Sequence, residues 1–170
     1  MYKRQIGNFV RLMFYNGPRA SSYRNLKWTD ITEDGNGGGY AYLYKTKSGK
    51  DVVLPLIPEA WAILESHPRV GRSPYVFSHF ADDRGWTRSE LYSRVKNLFI
   101  AAGLPNCDPT KVFRRNLAAT ARKQNLPDHL TAKLGGWESV GMVEYYAGKN
   151  PALLMEAAGV MSRKPKQDAG

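Results

Sequence analysis

Residues 28–56 read WTDITEDGNGGGYAYLYKTKSGKDVVLPL, and the period of this stretch decides the fold class. Trp28 to Thr32 reads as a short strand. Asp34 to Gly39 is a turn cluster holding Gly35, Gly37, Gly38 and Gly39. Tyr40, Tyr42 and Tyr44 then alternate with Ala41, Leu43 and Lys45, the period of two that sends successive side chains to opposite faces of a sheet. Lys47-Ser48-Gly49-Lys50 reads as a hairpin turn into a third strand, Asp51 to Leu56. Consecutive strands joined by tight turns predict a small three-stranded antiparallel sheet.

On both sides of this sheet the period is helical. Upstream, Phe9, Leu12 and Met13 place a helix over Asn8 to Tyr15, stopped by Asn16-Gly17-Pro18. A second short helix starts near Ser21 or Ser22, either of which can cap it, with Leu26 inward. Downstream, helices are predicted over Pro58–Ser66, Arg88–Ala102, Thr110–Gln124, Pro127–Leu134, Val140–Ala147 and Pro151–Met161. Leu91, Val95, Leu98, Phe99 and Ala102 form the inward stripe of the second of these. The class is α+β, mostly helical, with the sheet near the N-terminal part. Residues 162–170 read as a polar tail.

The chain has 170 residues, 42% of them hydrophobic, enough for one buried core and too many for a disordered basic tail. No apolar run approaches the ~18 residues of a membrane span, and no secretion signal opens the chain. A single cysteine, Cys107, excludes an internal disulfide, so the expected setting is cytoplasmic. The net charge is +10. It divides unevenly: residues 1–57 carry +5, residues 58–108 carry 0, and residues 109–170 carry +5. Two basic ends around a neutral middle can form one polyanion-binding face if the fold brings them together.

Several chemistries lack their residues. His67, His79 and His129 have no carboxylate or cysteine at ligand spacing, so no metal is expected. Neither G-x-x-x-x-G-K-S nor G-x-G-x-x-G is present, so no nucleotide cofactor is expected. A nucleophile elbow is absent too. What remains is a set of cations at turns and a late tyrosine. Arg19 follows a Gly-Pro turn, where its guanidinium fork can face an anion. Lys47 occupies a hairpin tip. Lys111 and Arg114 share one face at the start of a helix, where the dipole also favours an anion. Trp137 follows Gly135-Gly136 with an indole N–H donor, and Tyr146 comes nine positions later. Singly, each has an ordinary explanation as surface charge or packed aromatic. Their order is what distinguishes them.

Gly17-Pro18-Arg19-Ala20-Ser21 through Leu26-Lys27-Trp28-Thr29-Asp30-Ile31 resembles the first arginine box of the tyrosine recombinase (phage integrase) family. The hairpin from Lys47 to Leu56 resembles that family's lysine hairpin. Lys111-Val112-Phe113-Arg114 resembles its H/K-x-x-R box, Leu134-Gly135-Gly136-Trp137 the region that supplies His or Trp, and Met142-Val143-Glu144-Tyr145-Tyr146 the nucleophile segment. The five motifs keep the family's order over residues 17–146.

The resemblance implies a reaction. Tyr146 would attack a phosphodiester of double-stranded DNA, giving a 3′-phosphotyrosyl link and a free 5′-hydroxyl, and a second 5′-hydroxyl would reverse the step. Arg19 and Arg114 would clamp the non-bridging oxygens, Lys47 would protonate the leaving oxygen, and Trp137 would donate to the phosphate. Lys45, Lys50 and Arg115 would line the surrounding DNA track. No cofactor is implied, and the family's working state is a tetramer on DNA built from free monomers. Residues 1–161 read as its catalytic domain without the core-binding domain that usually precedes it, whether as a fragment, a truncated frame or a stand-alone member. Two positions depart from the pattern. Lys111 stands where most members have His, and it can accept a proton only with a strongly lowered pKa. Ser22 stands where a carboxylate is usual. Alternatives are type IB topoisomerase-like relaxation, a weakened DNA-binding module of the same fold, and a merely basic structural protein.

Overall fold

The computed structural model describes residues 2–44, 49, 51–79, 84–148 and 155. Its first helix, α1, runs Tyr2–Asn16, six residues further upstream than the apolar period predicts. The reason is that buried Gln5 and Asn8 share the inward face with Ile6, Phe9, Leu12 and Met13, so polar residues interrupt the pattern there. Gly17 ends α1 with φ +59°, and its N–H donates to Met13 O at 2.8 Å. A Cβ at this glycine would stand 2.7 Å from the Leu117 Cβ. Only glycine combines that backbone with so close an approach.

Helix α2 is Ala20–Arg24, and its N-cap is Arg19, not a serine; Ser21 and Ser22 lie inside the helix. Tyr23, fully buried, and Leu26 fix this segment to the core. The predicted first strand is half helical: Trp28–Asp30 forms a 3₁₀ turn, held by the Lys27 N–H donating to Asp30 Oδ2 at 3.0 Å. Strand β1 is then Ile31–Glu33, with β2 Gly39–Leu43 and β3 Val52–Leu56. The sheet order is β1-β2-β3, antiparallel throughout, with Ala41 opposite both Ile31 and Leu54. Ala41, Leu43, Leu54 and Leu56 face the core, while Tyr40, Tyr42 and Val53 face outward.

The remaining helices are α3 Pro58–Glu65, α4 Arg88–Ala101, α5 Val112–Lys123, α6 Asp128–Leu134 and α7 Gly141–Ala147. Each falls within two residues of its sequence expectation. Helix α4 starts at a reciprocal cap, Glu90 N–H to Thr87 Oγ1 and Thr87 N–H to Glu90 Oε2. Its stripe is narrower than predicted: Leu91, Val95 and Phe99 are buried, but Leu98 and Ala102 are exposed. The predicted helix Pro151–Met161 and the 162–170 tail lie, apart from Met155, outside the described residues.

Two hydrophobic clusters result among the described residues. The larger joins α1, α2, the sheet, α3 and α4 around Phe9, Leu12, Tyr23, Phe77 and Trp86. The smaller joins α5, α6 and α7 through Ala118, Ala132, Trp137, Val143 and Ala147. Helix α5 belongs to both, by Phe113 to the first and Ala118 to the second.

Candidate active site

The two basic ends of the chain meet in one cleft of about 390 Å³, lined among others by Arg19, Arg24, Arg88, Lys111, Arg114 and Tyr146. Local sequence explains each position. The Gly17 turn, pressed on Leu117 of α5, sets Arg19 beside that helix. Lys111 is the N-cap of α5 and Arg114 lies in its first turn, where the exposed N–H groups and dipole favour an anion.

Arg114 is the centre of the group and is only 2% exposed. Its Nη1 donates to Gly135 O at 3.2 Å. Its Nε and Nη2 have no partner among the described residues. Burial draws its pKa below the ordinary value, the nearby Tyr146 opposes this, and Arg19 adds to the lowering; a guanidinium stays charged regardless. A buried cation with unpaired donors costs about 1–3 kcal/mol per orphaned group. An anion in the cleft would remove that cost.

Trp137 packs against Arg114 and Tyr146. The Gly135-Gly136 turn, with Gly136 at φ +58°, folds the indole back so that a Cβ on Gly135 would meet it at 2.5 Å. The Arg114 Cζ lies 5.0 Å from the centroids of both the Trp137 and Tyr146 rings, and those two rings are 5.2 Å apart. The Trp137 Nε1–H is buried and unpartnered among the described residues. Tyr145 stands edge-on to Tyr146 and is 45% exposed, so only Tyr146 packs into the site.

The chain's sequence matches the phage integrase family over residues 2–152. It belongs to that family. No curated protein matches it. Among solved structures it is similar to XerH site-specific recombinase bound to palindromic difH substrate in a post-cleavage complex, with TM-score 0.74, 19% identity, and coverage of 94% of this chain and 46% of that one. It is similar to XerA recombinase, with TM-score 0.75, 18% identity and coverage of 95% and 58%. The catalytic domain of bacteriophage HP1 integrase gives TM-score 0.58 at 20% identity, with 94% of this chain and 92% of that chain covered. These likenesses establish a tyrosine recombinase catalytic-domain fold. The chain spans about half the length of the XerH chain.

Against the motifs of the phage integrase family, the structure brings Arg19, Lys111, Arg114, Trp137 and Tyr146 together. Lys45, Lys47 and Lys50 lie outside the described residues. Arg115 is half-buried beside Arg114 and does not line the cleft. Lys111 has a partner that sequence reading missed, Asp108, whose Oδ2 is 3.2 Å from the Lys111 Nζ. Burial of Asp108 opposes ionisation, but hydrogen bonds from Thr110 and Lys111 outweigh it and hold the carboxyl below its ordinary value. Ser22 borders a narrow crevice behind Arg19, and among the described residues no acidic side chain lines it. Arg24 and Arg88 were also missed. They are far apart in sequence from the motif boxes' second half, and only the packing of α2 against α4 brings them to the cleft.

Among the described residues no helix is long and apolar enough to cross a membrane.

Proposed function

We propose that this chain cleaves and rejoins double-stranded DNA in site-specific recombination, with Tyr146 forming a 3′-phosphotyrosyl intermediate. The observation that carries this is the unpaired donor set around the Tyr146 ring: Arg114 Nε and Nη2 and Trp137 Nε1. A phosphodiester entering the cleft gives these donors acceptors. As Tyr146 attacks, its O–P bond forms while the P–O5′ bond breaks, its phenolic proton passes to solvent, and charge builds on the non-bridging oxygens, which Arg19 and Arg114 stabilise. Donors already in place are each worth roughly 3–4 kcal/mol of barrier. The leaving 5′-oxygen takes a proton, for which Lys47 is the assigned donor. Lys111, beside Asp108, donates to the phosphate. Bond energy is kept in the phosphotyrosine, so rejoining by a second 5′-hydroxyl needs no nucleotide. Strand exchange between two duplexes uses four such sites, so a tetramer on DNA is part of the proposal. Lys45, Lys50 and Arg115 complete the DNA track.

The test is a nicked suicide substrate carrying the cognate site. Tyr146→Phe should abolish the covalent adduct and Tyr145→Phe should retain it; the reverse result overturns the nucleophile assignment. Binding without any adduct from the unmodified chain would identify a DNA-binding module that has lost its chemistry. Relaxation of plasmids lacking the site would favour the topoisomerase reading.

A further inference from the structure

We propose that the ion pair between Arg122 and Glu144 is a latch that sets the rotation of α7 and so holds Tyr146 against Arg114. The inference rests on reading Tyr146 as the nucleophile. Glu144 Oε2 accepts from Arg122 Nη2, and Asp128 Oδ2 lies 3.6 Å from the same nitrogen. One guanidinium thus ties α5, α6 and α7 together. It sits eight residues after Arg114 on α5, two turns along the helix that carries the phosphate clamp.

Helix α7 needs such a device. It has seven residues and no side-chain N-cap, too short to hold its own shape or place. Its buried stripe is Val143 and Ala147, set against Ala118, Ala132 and the Trp137 ring. The methyl contacts offer little relief to stop the helix turning about its axis, so its rotation is set by grips on its two sides, the Trp137 ring against Tyr146 and Arg122 against Glu144. At about 100° per residue, Glu144 and Tyr146 flank that stripe on opposite sides. A turn of α7 that parts Glu144 from Arg122 therefore swings Tyr146 relative to Arg114. Arg122 and Glu144 are positioning residues in this scheme, touching neither phosphate nor leaving group.

The experiment compares the wild type with Arg122→Gln, Glu144→Gln and the double variant. An exposed ion pair contributes little to global stability, so melting should barely change. Hydrogen exchange in the free chain should speed up in Gly141–Ala147 and stay unchanged in α1. Single-turnover adduct formation at saturating DNA should fall about threefold to tenfold, because a small displacement of an attacking group is expensive. DNA affinity should stay within about twofold, and the double variant should lose no more than either single. Unchanged exchange in α7 would overturn the latch, as would losses that multiply in the double variant. A loss confined to DNA affinity would also overturn it, making Arg122 a DNA contact. Exchange is read without DNA, so it decides the latch even if the wild type forms no adduct, a result that counts against the nucleophile assignment alone.

Discussion

His67 should make this fold acid-sensitive in a definite window. The ring is 4% exposed, edge-on to Phe77 with centroids 4.8 Å apart and tilted toward Trp28. The Asn8 amide Nδ2 lies 3.0 Å from Nδ1. An amide nitrogen can only donate, so Nδ1 accepts and the ring is neutral; protonation would set two donors face to face. Burial, with Arg4 adding, draws the pKa from 6.5 down to about 4. The folded pKa lies below the unfolded one, so the contribution is fully present above pH 6.5 and is lost as pH falls toward 4. Between those limits the unfolded chain binds a proton that the fold refuses, at about 1.4 kcal/mol per pH unit. From pH 7.5 to 5.0 the loss is therefore about 2 kcal/mol. Urea unfolding at the two pH values reads it directly. Glu90 and Asp108, with lowered carboxyl pKa values, add their losses at more acid pH. His67→Gln keeps an acceptor for Asn8 and removes the titration, so the variant should lose about 2 kcal/mol less than the wild type over this range. Equal losses in the two proteins would refute the assignment of the effect to His67.

Two further outcomes follow from the turns that aim the site. Gly17→Ala should destabilise by about 2–4 kcal/mol in chemical denaturation, combining a left-handed backbone with contact on the Leu117 Cβ, and Leu117→Ala should relieve only part of it because that Cβ remains. Trp137→Phe removes an orphaned buried donor along with some apolar area, so stability should stay within about 1 kcal/mol while adduct formation on the suicide substrate falls at least tenfold.

Much of this was legible because the signals are local. The alternation from Tyr40 to Tyr44 and the helical stripes each reside in a short window, and the described residues largely follow them. What escaped was tertiary. Gln5 and Asn8 look like solvent-facing residues until His67, 59 positions from Asn8, gives that amide a reason to be buried. Trp28 carries strand character, yet Asp30 reaches back to Lys27 and winds the segment into a 3₁₀ turn. Within the site, the motif spacing marked Arg19, Arg114, Trp137 and Tyr146, because that chemistry requires those residue types in that order. Asp108 is three residues from Lys111 and carried no motif, so its pairing became visible only with the side chains in place. The Arg122–Glu144 pair spans 22 positions across two turns and had no sequence signal.

The division of the hydrophobic residues into two clusters, joined chiefly by α5, makes the domain modular. Residues from α6 through α7 meet the remainder largely through the alanine-lined side of one helix. A counterpart of that segment from another family member would need to match Ala118 and Arg114 of α5, and the far side of the protein could stay as it is. Variation in how Tyr146 and Trp137 are presented can thus accumulate in one short stretch of chain without disturbing the larger core or the two arginines, Arg19 and Arg114, that lie outside it.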